Sequence, residues 1–531
     1  MIKMTNYIGI TIGPIYDTIR LSSTPSAMWA ASYMFSYMAR SMCAEIASKI
    51  TKNNEAILSP YFDDDISKNN DGIGLFHDRI IFISNDTEKD MENVQKIFKD
   101  TKIKVAKLFS LDDATQEWFD KYLQFHAVVF QSNEKPIMDS AQYLDIVELE
   151  KTFPVRTVKN PILKIFDSQN RNTLIREKIR DGLKLSTWPL STNGGKNNQS
   201  DMEDIIGKYA EKKRKNSTKK SEKSYSYYAI VQSDGDHFGK YIEQKEKDNR
   251  SREVSKQCLT FCSEASKIIQ KYGGVTIYAG GDDLLFLAPL WEKPNEEIIE
   301  RKNIITLLDD LRIKFQETFG KKDDSPTISF GVAIRFHKYP LYEAFDEVNQ
   351  LLFYDAKKAR NALAISLKKH SGQSAEFVVE NYSEKVGMLS NKVPEMLSNM
   401  IDERKNGDFL KSVSTKIWQF KPLFEQALKI FEKTKDIKVI QNIFNNTFDS
   451  EIHKKYENEL KETTDLLKVI SDKDALSLVR ELGGSSHKEN TKKRYLTLED
   501  KCLYALDALL RFVKFFTETG EEERDNGKEV D

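Results

Sequence analysis

The chain contains 531 residues, 39% of them hydrophobic, and its 81 lysines and arginines almost balance its 82 aspartates and glutamates. This length exceeds one ordinary core and predicts roughly three or four domains, while the near-zero net charge means that any basic surface must be local. Four cysteines in such a length exclude a disulfide framework. A signal peptide is lacking and no weakly polar run reaches the ~20 residues of a membrane span, so we expect a cytoplasmic protein with no membrane partner.

The first 133 residues predict a sheet covered by helices. Three apolar stretches are typical of strands, namely residues 6–12, 75–83 and 125–130. Thr24 and Pro25 are the residue types that cap and begin a helix, which should run to about Lys49. His77 and Asp78 fall within the second strand pattern, and we interpret them as a surface or turn pair.

The sequence changes character after this region. Residues 134–190 are mixed and mostly helical in pattern, and residues 191–224 are polar. Seven of the thirteen residues 211–223 are basic. We interpret residues 191–224 as a solvated linker, with a mobile basic arm that contacts RNA phosphates as the alternative.

Paired carboxylates follow two strand patterns further along the chain. Residues 227–233 predict a buried strand, and Asp234 and Asp236 come directly after it. Residues 252–272 carry apolar side chains at helical spacing, and a Gly-Gly-Asp-Asp turn at 280–283 then joins two more strand patterns. Because a strand–helix–strand unit places its strands parallel, the first strand should end beside this turn.

This arrangement predicts a metal site at one edge of a sheet, formed by Asp234, Asp236, Asp282 and Asp283. Adjacent carboxylates repel one another, and a divalent cation between them removes the repulsion. Carboxylate oxygens suit Mg²⁺ or Mn²⁺, with phosphate oxygens completing the coordination. Gly280 and Gly281 permit a tight turn and let a bulky ligand approach the backbone. Taken alone, the turn is equally compatible with an ordinary solvated Gly/Asp turn.

The later patterns complete this unit and then become helical. Residues 327–336 predict the last core strand, and its end carries a charged cluster that is either a phosphate-facing group or plain surface: Arg335, His337 and Lys338. Residues 373–520 show apolar side chains at three- and four-residue steps, which is typical of a helix bundle, and Pro394 should kink or restart its first helix. Residues 521–531 form an acidic tail.

Several of these motifs together resemble a known family. Asp-x-Asp-His-Phe at 234–238, followed by Gly-Gly-Asp-Asp at 280–283, resembles the GGDEF cyclases and palm polymerases. Residues 351–363 resemble the helix that those enzymes place over the nucleotide triphosphate. Ser329-Phe-Gly-Val-Ala-Ile, Pro340-Leu-Tyr-Glu-Ala and Ser371-Gly372, with Gly13-Pro14 and Trp29-Ala-Ala-Ser-Tyr near the start, narrow the match. Together they resemble the large polymerase/cyclase subunit of type III CRISPR effector complexes.

The resemblance implies an α+β fold with two ferredoxin-like palm domains, the first degenerate and the second catalytic, interspersed helices and a C-terminal helical bundle. The expected boundaries are 1–133 for the degenerate palm, 134–190 for a bridging region, 191–224 for the linker, 225–372 for the catalytic palm, 373–520 for the bundle and 521–531 for the tail. Many relatives also carry an HD nuclease domain and a zinc module. The ligand patterns of both are missing here, and the chain begins directly at the palm, so we expect no HD nuclease activity.

The resemblance also implies an activity. The family uses ATP and Mg²⁺ to make cyclic oligoadenylates when target RNA pairs with crRNA in a complex with other effector subunits. Some relatives without the HD domain instead join AMP to S-adenosylmethionine. The sequence does not separate these two products.

Site residues carry over from the family motifs. Asp234, Asp282 and Asp283 become the catalytic metal ligands, with the Gly235 carbonyl as a further ligand. The nucleotide-binding residues implied are Gly235, Asp236, His237, Phe238, Gly280, Gly281, Lys357, Arg360 and Asn361. Lys357 is expected to meet the triphosphate, and Asp236 either tunes the metal site or only shapes the turn.

Two other classes of protein remain compatible with the sequence. A free-standing diguanylate-cyclase-like enzyme shares the palm, but it would normally carry a sensory domain and act as a homodimer of single palms. A non-catalytic scaffold explains the long helical C-terminus, yet it has no use for carboxylates at two strand ends. Metal-dependent ATP turnover distinguishes the scaffold from an enzyme.

Overall fold

The computed structural model of the chain describes residues 4–22, 24–63, 72–108, 113–149, 202, 205–206, 226–293, 301–321, 324–380, 393–402, 407–448, 454–471 and 497–520. The predicted linker, apart from three residues, and the predicted acidic tail lie outside these residues, as does most of the bridging region. The described part of the chain contains two sheets, helices on their faces, and a group of C-terminal helices. This is the α+β architecture that the motifs predict.

The first sheet has four antiparallel strands in the order β2-β3-β1-β4. They are β1 (Thr5–Gly13), β2 (Ile57–Ser59), β3 (Arg79–Ile83) and β4 (Gln124–Ser132). The strand predicted at residues 75–83 begins only at Arg79, so the first half of that prediction is wrong. The backbone N–H of Phe76 donates to Ser36 Oγ at 2.8 Å instead of to a neighbouring strand.

Five helices accompany this sheet: α1 (Ile15–Arg20), α2 (Pro25–Glu45), α3 (Thr87–Leu108), α4 (Asp113–Tyr122) and α5 (Pro136–Glu148). Thr24 caps α2 as predicted, because its Oγ1 accepts a hydrogen bond from the N–H of Ala27 at 3.2 Å. α2 is buried on nearly every side, and its side chains share one core with Ile277 and Leu285 of the second sheet. The helix therefore fastens the two sheets together.

The second sheet has six strands in the order β10-β9-β8-β5-β7-β6. They are β5 (Tyr227–Asp236), β6 (Val275–Gly280), β7 (Asp283–Pro289), β8 (Thr327–Phe336), β9 (Ala362–Lys368) and β10 (Ser374–Glu380). Both faces of β5 are buried, since Ala229 and Val231 lie in one core and Tyr228 and Ile230 in the other. Burial on both faces explains why its sequence is continuously apolar.

Four helices belong to this sheet: α6 (Phe238–Lys247), α7 (Ser251–Tyr272), α8 (Ile304–Phe319) and α9 (Leu341–Gln350). α7 confirms the helix predicted at residues 252–272. β5 and β6 are parallel as predicted but are not neighbours, because the antiparallel return strand β7 lies between them. β8 occupies the predicted residues but is a central strand, with β9 and β10 beyond it.

The C-terminal helices confirm the predicted helical pattern in the described residues. They are α10 (Val393–Asp402), α11 (Gly407–Gln419), α12 (Lys421–Thr434), α13 (Lys438–Thr447), α14 (Glu457–Ile470) and α15 (Leu498–Gly520). Pro394 lies in the first turn of α10, where a missing N–H costs nothing. Within the described residues, no helix combines the length and apolar character that a membrane span requires.

Candidate active site

Three carboxylates meet where β5 approaches the turn between β6 and β7. Asp234 lies near the end of β5, Asp282 lies in the turn, and Asp283 begins β7. One carboxylate oxygen of each lies within 4.8 Å of those of the other two. The antiparallel pairing of Ser233 with Leu284 sets this geometry, because it places Asp234 beside Asp283. We call Asp234, Asp282 and Asp283 the carboxylate cluster.

Glycines allow the backbone to approach this closely. Gly235 N–H donates to Asp282 Oδ2 at 3.2 Å, and a Cβ on Gly235 would lie only 2.5 Å from the same oxygen. Gly281 has a positive φ of 69°, which side chains other than glycine rarely adopt. A Cβ on Gly280 would lie 2.6 Å from the Tyr278 hydroxyl oxygen. The turn therefore needs glycine at both positions for different reasons.

Lys357 is in direct contact with the cluster and not merely near it. Its Nζ lies 2.7 Å from Asp234 Oδ2 and donates to the carbonyl oxygens of Gly235 at 2.6 Å and Asp234 at 3.0 Å. The Asp236 carboxylate is 3.3 Å away. The ammonium group thus contacts the same carboxylate and carbonyl that the sequence predicts as metal ligands.

Asp236 has a structural position. Its side chain is 1% exposed, and it accepts hydrogen bonds from Thr327 Oγ1 at 2.9 Å, Ser329 Oγ at 2.8 Å and the Asn361 N–H at 2.7 Å. These contacts fasten β5 to β8 and to the segment after Lys357. Asp236 is therefore not part of the carboxylate cluster. Of its two predicted roles, the structure favours shaping the turn over tuning the metal site.

The remaining predicted site residues divide between surface and core. Arg360 Nη1 lies 2.5 Å from His237 Nε2, and both side chains are exposed beside the cluster. Arg360, Asn361 and His237 all have positive φ values, which marks this edge as locally strained. Phe238 is 6% exposed and packs edge-on against Phe319 in the core, so it positions α6.

The helix predicted at residues 351–363 is shorter than expected, and its irregularity positions Lys357. A π-helical segment (Leu351–Ala356) follows α9, and one short turn (Lys357–Ala359) precedes β9. Gly331 on β8 lets α9 and this segment approach closely, since a Cβ there would lie 2.6 Å from the carbonyl oxygen of Val348 and 2.7 Å from the backbone nitrogen of Leu352. π-helical turns of this kind are frequent at functional sites.

The strand-end residues Arg335, His337 and Lys338 do not face the cluster. β8 is antiparallel to β5, so Arg335 lies opposite Tyr228, at the other end of the sheet from Asp234. The Arg335 side chain is fully buried and donates to Glu347 Oε2 at 2.6 Å and the Ser366 carbonyl at 2.7 Å. The phosphate-facing interpretation is therefore wrong for Arg335, which is an internal structural cation.

Burial raises the pKa of two carboxyl groups of the cluster, those of Asp282 and Asp283. The pKa of Asp282 rises to about 7, mainly because the group is buried and secondly because Asp234 is close. The same causes raise the pKa of Asp283, with the neighbouring Asp282 charge contributing. Two ionised carboxylates are thus unfavourable here unless a cation accompanies them. The atoms with which the cluster could ligate a metal are all carboxylate oxygens, and oxygen ligands fit Mg²⁺ or Mn²⁺.

Two cavities adjoin the cluster between the sheets. The turn cavity has a volume of about 370 Å³ and is lined by Gly280, Gly281, Asp282, His77 and Phe238 among others. The first-sheet cavity has a volume of about 480 Å³ and is lined by residues of both sheets, including Asp17, Asp78, His126, Glu148 and Asp283. Asp78 and Tyr278 line both cavities.

His77 and Asp78 are functional candidates that the sequence did not reveal. Both residues precede β3, and the pair is half-buried and faces the Gly-Gly-Asp-Asp turn across the gap between the sheets. Burial lowers the pKa of His77 to about 4 and raises that of Asp78 to about 6. His77 Nε2 lies 3.1 Å from Ser59 Oγ. Only the distance in sequence between this pair and the turn hid the relationship.

Two palm-like sheets, one with a carboxylate cluster at its turn, define the chain as a double-palm protein. Residues 227–364 match the family model "Cas10/Cmr2, second palm domain", and residues 7–110 match "CRISPR-associated protein Cmr2, N-terminal". These two regions of the chain are therefore similar to the corresponding regions of Cas10/Cmr2 CRISPR-associated proteins.

Two relatives illustrate the degree of similarity. The CRISPR system Cmr subunit Cmr2 of Pyrococcus furiosus is 28% identical over 179 residues, which are 28% of this chain and 19% of that protein. The alignment thus spans about a fifth of that relative's length. A chain in the cryo-EM structure of the apo type III-B Cmr-beta complex superimposes with a TM-score of 0.52 and 11% identity, covering 78% of this chain and 75% of that one. The second similarity concerns the fold alone.

Proposed function

We propose that this protein is the nucleotidyltransferase subunit of a type III CRISPR effector complex and uses ATP to make a second-messenger nucleotide. The observation that carries the proposal is the meeting of three carboxylates, from a strand end and a distant turn, within 4.8 Å of one another. A non-catalytic scaffold gains nothing from this arrangement, since gathering three partly buried carboxylates around a single lysine costs stability.

Asp234, Asp282, Asp283 and the Gly235 carbonyl would hold Mg²⁺ or Mn²⁺. When bound, the metal activates a ribose hydroxyl and neutralises the leaving pyrophosphate. Gly281 has open space where a Cβ would stand, which suits close approach of a phosphate to the turn. Arg360 and His237 lie exposed beside the cluster, within reach of a triphosphate.

Lys357 changes partners in this proposal. Lys357 Nζ lies 2.7 Å from Asp234 Oδ2 and 2.6 Å from the Gly235 carbonyl oxygen, which is where a metal bound to both oxygens would lie, so metal binding there displaces the ammonium group. The flexible lysine side chain then contacts the triphosphate, where a positive charge stabilises the charge that develops during transfer. Where Lys357 contacts Asp234, its positive charge offsets the repulsion between the carboxylates of the cluster.

The charges that line the first-sheet cavity favour S-adenosylmethionine over a second ATP as the acceptor of the transferred AMP. Four carboxylates line it, and among its described lining residues there is neither lysine nor arginine. Arg79 pairs with Glu148 at 2.7 Å and a bound metal would neutralise Asp283, so the acids left without these two partners are Asp17 and Asp78. A second ATP would place its negatively charged triphosphate beside these carboxylates, which would repel it. S-adenosylmethionine carries a sulfonium and an ammonium group, which carboxylates stabilise. We therefore place AMP transfer to S-adenosylmethionine ahead of cyclic oligoadenylate synthesis for this chain.

The proposed setting is a complex with other effector subunits, crRNA and target RNA, in which base pairing controls the activity. The Pyrococcus furiosus relative is itself described as a Cmr subunit. Location in the cytoplasm, where such RNAs occur, is part of the same proposal.

Product mass tests the proposal directly. The assembled complex is incubated with ATP, Mg²⁺ and target RNA, with and without S-adenosylmethionine, and the products are identified by mass spectrometry. We expect an AMP conjugate when both substrates are present. D282A/D283A should abolish every nucleotide product, whereas E92A/D100A, which removes two exposed acids of α3, should not. Product formation by D282A/D283A would refute the site.

A further inference from the structure

A third cavity lies at the opposite end of the second sheet from the carboxylate cluster. β9 begins beside Asp236, to which Asn361 N–H donates, and runs to Lys368 at the far end. There a cavity of about 430 Å³ separates the β9–β10 turn from helices α11 and α15. We call it the basic cavity, and it is lined by Leu367, Lys369, Ser371, Gln373, Ser374, Ala375, Leu410, Lys411, Ser414, Thr415, Leu510, Arg511 and Lys514.

Every charged side chain that lines the basic cavity is positive. These are Lys369, Lys411, Arg511 and Lys514, and the described lining residues include no carboxylate. Serine and threonine hydroxyls and one glutamine amide add neutral donors around them. Because the whole chain is almost neutral, this concentration of one sign is local and not a consequence of composition.

Two nearby carboxylates contact these basic groups. Asp507 accepts from Arg511 Nε at 2.9 Å and also from the Ser414 hydroxyl. Asp408, which is 99% exposed, lies 3.7 Å from Lys514 Nζ. The lining itself carries four basic residues and no carboxylate in the described part of the chain, and these two acids contact it from outside.

The walls of the basic cavity are fixed by packing that does not involve a ligand. Helical spacing puts Lys411, Ser414 and Thr415 on one face of α11. The β9–β10 turn is held by Gly372 N–H donating to the Lys369 carbonyl at 2.9 Å. Tyr227 Oη accepts from His370 N–H at 3.0 Å, and the same tyrosine ring packs edge-on against Phe515 of α15. The basic groups are thus presented by a preformed concave surface.

We propose that the basic cavity binds a run of linked phosphates, as in the backbone of single-stranded RNA or in a free polyphosphate. Clustered ammonium and guanidinium groups with flanking hydroxyls match the charge and the acceptor oxygens of such a ligand. The cavity lies about seven strand residues, or roughly 23 Å, from the carboxylate cluster. It is therefore a separate site, and the proposal does not depend on the nucleotidyl transfer proposed above.

Salt dependence of RNA binding tests the inference. The full chain is titrated against a labelled unstructured RNA oligomer by fluorescence anisotropy at several salt concentrations. K411Q/R511Q removes two cavity charges, and K429Q/K433Q is the matched control, because both lysines are exposed on α12 away from the cavity. Each lost phosphate contact lowers the slope of log K against log salt by about 0.7 for single strands, so we expect a decrease of about 1.4 for the cavity variant only.

A labelling experiment locates the contact directly. Lysine acetylation read by mass spectrometry should show protection of Lys369, Lys411 and Lys514 by the RNA, and no protection of Lys429 or Lys433. Tripolyphosphate, added alone, distinguishes the two sources of the ligand: protection by it but not by RNA would assign the cavity to a free polyphosphate. Equal slopes for the two double variants, with no protection of the cavity lysines by either ligand, would overturn the proposal.

Discussion

Replacement of Lys357 by methionine should have opposite effects on metal binding and on catalysis. Methionine keeps the length and flexibility of the side chain and removes the charge. Lys357 Nζ contacts one carboxylate at 2.7 Å and two carbonyl oxygens at 2.6 and 3.0 Å. Any divalent cation must displace these contacts. Without nucleotide, K357M should therefore bind Mn²⁺ more tightly than the unmodified protein.

The size of the gain follows from the contacts that the metal no longer has to break. The side chains of Lys357 and Asp234 are only 18% and 24% exposed, so solvent screens their attraction weakly. A net hydrogen bond to a charged group is worth about 1.5–3 kcal/mol. If metal binding no longer has to break one such interaction of Lys357, the dissociation constant of the metal falls by about 10- to 150-fold. Product formation should instead fall by about 10²- to 10³-fold, as on loss of a donor that stabilises developing charge.

Electron paramagnetic resonance of free Mn²⁺ measures the binding, and product mass measures the catalysis. K358M is the matched control, since Lys358 is the exposed neighbour on the same turn. The control should leave both quantities within a few-fold of the unmodified protein. Unchanged or weaker Mn²⁺ binding by K357M would refute the idea that this lysine and the metal compete.

Three further outcomes follow from the structure. D236N should lower the free energy of unfolding by about 1–3 kcal/mol in urea titrations, because an amide nitrogen cannot accept from the donors that now surround the carboxylate; unchanged stability would contradict its structural position. G331A should cost about 1–3 kcal/mol and lower Tm, since its Cβ would meet backbone atoms at 2.6 and 2.7 Å, whereas G239A, with only a methionine methyl at 3.8 Å, should not. The pKa of Asp282 is about 7 in the folded protein and near 3.8 in the unfolded chain. Between these pH values the Asp282 carboxyl group is therefore mostly ionised in the unfolded chain and mostly protonated in the folded protein. Stability of the metal-free protein should therefore fall as pH rises from about 4 to about 7, and D282N should flatten this dependence; an equal slope in D282N would contradict the assignment.

The sequence could predict the elements of the site because each one is encoded locally. The apolar run of β5, the helical spacing of α7 and the Gly-Gly-Asp-Asp turn each occupy a short segment. Their meeting point also follows from the short connection through α7. Asp234 therefore lies beside Asp282 and Asp283 even though the strand order within the sheet is different from the one predicted.

The remaining features depend on contacts between distant segments. Nothing around Arg335 in the sequence shows that Glu347 and Ser366 will surround it, so a buried structural cation resembled a surface charge. His77 reaches the turn because contacts between distant segments, among them those of α2 with the second sheet, hold the two sheets together. The contact of Lys357 with Asp234 depends on Gly331 and on a π-helical segment that no periodicity predicts.

The most direct test is a crystal structure of the full chain with Mn²⁺ and a non-hydrolysable ATP analogue, with the metal located by its anomalous signal. We expect manganese bound at about 2.1 Å to carboxylate oxygens of both Asp234 and the Asp282–Asp283 turn, with phosphate oxygens completing the coordination and Lys357 moved onto the phosphates. Manganese elsewhere, with Lys357 still seated on Asp234 and Gly235, would contradict it.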